Sequence, residues 1–175
     1  FGNKSRSGGG PLIDLGVHMI DLAVWLMGNP TPVAVSANTY TKFADNDTSD
    51  SENSKFGDAN SAGTFDVEDL AMGMIRFDNG AVLQIEFSWA SNIKAENRFV
   101  ELRGTKAGLK WQDNGVEFFT EEDGQLLDIT PTGNLDTNGH KKNIRNFIDV
   151  ITAGAEPVFK PSQGVDMIKI LCAIY

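Results

Sequence analysis

Cysteine, histidine and positive charge are all scarce in this chain. Cys172 is the only cysteine in 175 residues, which excludes an intrachain disulfide and fits a reducing compartment. Lysine and arginine number 15 against 24 aspartates and glutamates, a formal net charge of −9. That balance excludes a nucleic-acid partner, since such proteins carry a basic footprint, and it disfavours docking on an anionic membrane. No apolar run of membrane-spanning length is uninterrupted: residues 8–28 are broken by Asp14, His18 and Asp21. No G-x-G-x-x-G follows a strand and no strands alternate with helices, so the chain holds no dinucleotide-binding half. No signal-peptide layout is visible and the first residue is Phe1. One domain of a longer protein, cut at both ends, is therefore expected. A cytoplasmic location is the expectation, with a secreted or periplasmic one left open by whatever precedes Phe1.

What is present is ordinary for a globular domain. Hydrophobic residues make up 41% and charged residues 22%, enough to bury a core at this length. Pro11 and Gly28 bracket a helix over residues 11–27. Residues 32–43 alternate as a strand. The stretch 44–63, rich in Asp, Ser and Asn, reads as a mobile acidic loop. Beyond it, strands over 65–77 and 81–89 flank Asn79-Gly80, a pair that favours a type I′ turn, and the device recurs at Asn114-Gly115 and Asp123-Gly124. Two more strand candidates lie in "RFVELRGTKAGLKW". Ile144, Phe147, Ile148 and Ile151 then mark an amphipathic helix that Gly154 ends. A last helix, capped by Ser162, is expected to bury Val165, Ile168, Leu171, Cys172 and Tyr175. The fold class is α+β: a mainly antiparallel open sheet with helices packed on one face.

The first helix carries the chemistry. At about 100° per residue, Asp14, His18, Asp21 and Trp25 fall in one narrow stripe. The rest of that helix is apolar nearly all round, so it should be buried with the stripe facing a cleft or a buried polar group. An Asp four residues before a His can touch it, fix its tautomer and raise its basicity, as a general base near neutral pH requires. The alternatives are structural: Asp14 answering the helix dipole, Asp21 supporting His18 or a neighbouring loop, His18 a satisfied core residue. A metal site is disfavoured, because the other histidine, His140, begins a distant helix.

"GGGPLIDLGVHMIDLAVWLMG" resembles the opening of the C-terminal domain of the Gfo/Idh/MocA family of oxidoreductases. "VEDLAMGMIRFDNGAVLQIEFSW", "VELRGTKAGLKW", "NFIDVITAGAEPVFKPSQG" and "MIKILCAIY" resemble its later landmarks in order, so the likeness spans nearly all of residues 1–175. The resemblance implies a dihydrodipicolinate-reductase-like α+β domain and a separate Rossmann domain that binds NAD or NADP. It implies a sugar, polyol or related hydroxy compound as substrate, and homo-oligomer contacts through the open sheet face. His18 matches the family's proton-transfer histidine and Asp14 its partner aspartate. The family's lysine, in a Glu-Lys-Pro motif, is absent here, so this chain alone should be inactive. Asp21 is read as structural support. Gly8, Gly9 and Gly10 would let backbone approach substrate or cofactor; Arg6, Lys94 and Arg98 are candidate substrate contacts, and Trp89 could stack on a sugar face. Two other readings stay open: a non-catalytic oligomerisation or ligand-binding module, and a glycoside hydrolase that uses the nicotinamide transiently.

Overall fold

A computed structural model describes residues 1–42, 64–113, 115–133 and 138–175; the acidic stretch at 44–63 lies outside them. Among the described residues the chain runs through α1 (Lys4–Ser7), a π turn (Leu12–Gly16), α2 (Val17–Leu26), β1 (Pro32–Tyr40), β2 (Leu70–Phe77) and β3 (Val82–Ser88). It continues through β4 (Phe99–Arg103), β5 (Gly108–Gln112), β6 (Gly115–Glu122), β7 (Gln125–Ile129), α3 (Gly139–Ala153) and α4 (Pro161–Ile174).

The α+β class holds, with every strand pairing antiparallel. The strands form two sheets rather than one, ordered β1-β2-β3 and β4-β5-β6-β7. On the first sheet the alternation sends Ala71, Ile75, Phe77 and Ile85 inward, against Leu12, Ile20, Met167, Ile170, Leu171 and Ile174. Helices α2 and α4 therefore share one face of this sheet, and α2 also reaches β4, where Val100 is buried. The opposite face, with Ser36, Met74, Arg76, Gln84 and Glu86, is exposed. Taken together, Lys4–Leu26 has the length and hydropathy of a membrane-crossing segment, yet here Leu12 and Ile20 are completely buried in the core of the domain.

Turn chemistry departs from expectation in two places. Asn79-Gly80 does not make a type I′ turn: only Gly80 has a positive φ, of 86°. Gly80 N–H donates to Phe77 O and Ala81 N–H to the Asn79 side chain, which gives a type I turn closed by a left-handed glycine. At the β5–β6 reversal Gln112 pairs with Gly115, with Asp113 at φ 50° and Gly115 already in the strand, while Asn114 lies outside the described residues. Asp123-Gly124 does behave as expected, with both residues at positive φ.

The helices bring further corrections. α4 begins at Pro161, one residue before the Ser162 cap expected; Pro161 suits the first helical position, and Lys160 N–H is received by Gln163. Its buried residues are Met167, Ile170, Leu171 and Ile174, while Val165, Ile168 and Cys172 are exposed. α4 is apolar on two sides, and the sheet takes the side one residue round from the spacing that was read. α3 is amphipathic and ends at left-handed Gly154 as expected, but its apolar residues Ile144, Phe147, Ile148 and Ile151 are exposed among the described residues.

Candidate functional site

The segment from Gly8 to Leu26 is not one regular helix. Val17 N–H bonds to Leu12 O, an i→i+5 link, so the first turn is π and holds one residue more than an α turn. Such turns collect at functional sites. The extra residue alters the stripe: Leu15, His18, Asp21 and Trp25 are exposed, whereas Asp14 is half-buried toward β3. The helix was expected to be buried nearly all round. Instead only Ile20 and Ala23 of α2 are buried, and its polar edge is open to solvent.

Asp14 and His18 were expected to touch. Among the described residues no hydrogen bond joins them, because the π turn shifts Asp14 out of the i,i+4 geometry of an α-helix. Asp14 Oδ2 instead accepts from Trp89 Nε1–H at 3.1 Å. Trp89 packs edge-on against Phe1, with ring centroids 6.4 Å apart, so its ring is engaged within the chain. His18 lies in an open groove of about 790 Å³ between α2 and α4, with Asp21, Phe159, Val165, Ile168, Lys169 and Cys172. Lys169 is paired with Asp166 at 2.9 Å.

The glycines approach the protein itself. A Cβ on Gly10 would lie 1.9 Å from Glu68 O, and one on Gly9 2.2 Å from the Tyr175 hydroxyl. Gly8 takes a left-handed conformation that closes α1. Arg6, Lys94 and Arg98 are exposed, and the Arg98 guanidinium sits 5.7 Å from the Trp111 ring centroid on β5. His140 opens α3, far along the chain from α2.

Sequence reasoning missed Glu68. It is 5% exposed, and its carboxylate accepts Gly10 N–H at 2.9 Å, Leu12 N–H at 3.1 Å and the Tyr175 hydroxyl at 2.7 Å. An anion there satisfies free N–H groups at the start of the helix and is favoured by its dipole. Burial, with the hydrogen bond and charge of Glu68 adding to it, pushes the Tyr175 phenol well above its ordinary range. The available signal was the acidic pair of "VEDL", set between apolar residues where a strand begins.

The fold and this helix define a class: an α+β domain whose described strands all pair antiparallel, with an exposed imidazole on one helix edge and a carboxylate clamped in the turn before it. Residues 2–175 match the model of an oxidoreductase family, C-terminal alpha/beta domain, and the chain belongs to that Gfo/Idh/MocA family. It is 31% identical over 176 residues to D-glucoside 3-dehydrogenase of Escherichia coli (strain K12), covering 100% of this chain and 48% of that protein. The chain thus spans about half the length of this curated relative. Among solved structures, an oxidoreductase domain protein from Kribbella flavida superposes with a TM-score of 0.74 at 22% identity, over 99% of this chain and 50% of that one. Levoglucosan dehydrogenase in complex with NADH gives 0.69 at 22%, over 99% and 50%. At these identities the two structures establish the fold.

Proposed function

We propose that this chain is the substrate-side domain of an NAD(P)-dependent oxidoreductase acting on a sugar, polyol or related hydroxy compound. The observation that carries this reading is the open edge of α2 and the π turn before it: an exposed imidazole, His18, and four residues earlier a carboxylate, Asp14, that Trp89 holds in place. The dehydrogenase relative and the NADH-bound neighbour support the reaction class.

Both sheets are antiparallel throughout, so the described residues form no cradle for dinucleotide phosphates. They fit the other side of such a cleft. NAD or NADP, when bound by a preceding domain, supplies the hydride acceptor. His18 receives the substrate hydroxyl proton on a ring nitrogen. Asp14 accepts a hydrogen bond from a substrate hydroxyl through its oxygen not engaged by Trp89, and so orients the reacting carbon. Asp21 supports the helix edge. The exposed face of the first sheet, around Ser36, Met74 and Arg76, is the surface we assign to contacts between copies.

The full-length protein tests this with a panel of D-glucosides, free sugars and polyols. Net NADH or NADPH formation is expected, and His18→Ala should lower kcat by about two orders of magnitude or more. Glycoside cleavage without net reduced cofactor, or unchanged kcat and pH profile in His18→Ala, would overturn the reading.

A further inference from the structure

Asp14 owes its orientation to a residue 75 positions away. Trp89 lies just beyond β3, where the chain is fixed to the start of β2: Trp89 N–H donates to Asp69 O at 3.0 Å. The Ser88 hydroxyl has two carbonyls within hydrogen-bond distance, Ala90 O at 2.6 Å and the same Asp69 O at 2.9 Å, and Ser91 Oγ–H donates to Ser88 Oγ at 2.7 Å. Phe1 lies edge-on against the indole, with the rings at 81°. The backbone and one edge of Trp89 are thus held before its Nε1–H meets Asp14 Oδ2 at 3.1 Å.

An indole N–H is a donor and never an acceptor, so Oδ2 is the accepting oxygen and the hydrogen bond limits how the Asp14 carboxylate can turn. Oδ1 has no hydrogen-bond partner among the described residues and is the oxygen left for a ligand. Asp14 lies in a π turn, where the regular α-helical side-chain register does not set its direction. An external clamp replaces it.

The geometry points to Trp89 as a positioning residue for substrate recognition: its N–H holds Asp14 so that Oδ1 takes a single substrate hydroxyl. This rests on the proposed role of Asp14 at the substrate side. Trp89 acts through Asp14 and not by stacking on the sugar.

The test uses the full-length enzyme and the Trp89→Phe variant, which keeps the ring and deletes the donor. Displacing a positioning group by a fraction of an ångström to an ångström costs up to about a hundredfold, so kcat/KM should fall about tenfold to a hundredfold, with Tm nearly unchanged. In an Asp14→Ala background the same change should add nothing, because both substitutions remove one unit. Trp89→His, which restores an N–H, should recover part of the loss. A readout independent of turnover is the Trp89 Nε1–H resonance, assigned by its loss in Trp89→Phe; it should shift in Asp14→Ala. Wild-type kcat/KM in Trp89→Phe, losses that multiply with Asp14→Ala, or an unmoved resonance would overturn the proposal. If His18→Ala leaves kcat intact while the resonance still shifts, the catalytic reading fails and the Trp89–Asp14 clamp stands as structure only, without the recognition role.

Discussion

The Tyr175 hydroxyl donates to Glu68 Oε1 at 2.7 Å across 107 positions of sequence. The same carboxylate holds Gly10 and Leu12 N–H, so the last helix, the start of β2 and the π turn meet at one buried acid. Lys4 Nζ sits 5.9 Å from the Tyr175 ring centroid and adds a cation–π contact over the same junction.

Tyr175→Phe should cost about 1–1.5 kcal/mol, near the low end for a hydrogen bond to a charged group because the phenol is half-exposed. Glu68→Gln should cost more, about 2–3 kcal/mol, since one face of the amide would present its own donor to a backbone N–H. Urea unfolding measures both. A Glu68→Gln variant as stable as wild type would show that the junction does not hold the helix start.

Alkaline pH should weaken the same junction. Folding raises the Tyr175 phenol above its ordinary value of 10.0, so the folded state binds that proton more tightly than the unfolded one. The stability this contributes is complete below pH 10 and is lost as pH climbs toward the folded-state value. Stability measured from pH 8 to 11.5 should fall above about pH 10 more steeply for wild type than for Tyr175→Phe.

α4 shows how far patterning goes and where it stops. Its existence and the position of Leu171 on the core side were legible from the period, because a 3.6-residue repeat of apolar residues is local information. Which of two apolar sides meets the sheet is not local, and the spacing of Val165, Ile168 and Cys172 is as regular as that of Met167, Ile170 and Ile174. Ile170→Ala should therefore cost about 2–5 kcal/mol, whereas Ile168→Ala, at a 59% exposed position, should stay within about 0.5 kcal/mol. Equal losses at both sites would mean that α4 packs the other way round. The candidate site divides similarly. His18 and Asp14 stand out as polar residues in an apolar helix, but the clamps on this segment from Glu68 and Trp89 come from residues more than 50 positions away.

Gly16 closes the π turn at a point where two effects oppose. Alanine is the better helix former by about 1 kcal/mol, yet a Cβ there would lie 2.7 Å from the Phe87 ring, which packs against the core. Overpacking of that kind costs about 1–3 kcal/mol, so it should win. Gly16→Ala is expected to lower Tm, and Phe87→Leu in the same chain to recover part of the loss, because the clash is shared between the two sites. The turn bears Asp14 two residues earlier and His18 two residues later. In the full-length enzyme kcat/KM should consequently fall at temperatures well below the variant's Tm, since displacement of either group by an ångström is costly. A Gly16→Ala variant with raised Tm would show that helix propensity prevails and that β3 does not press on this turn.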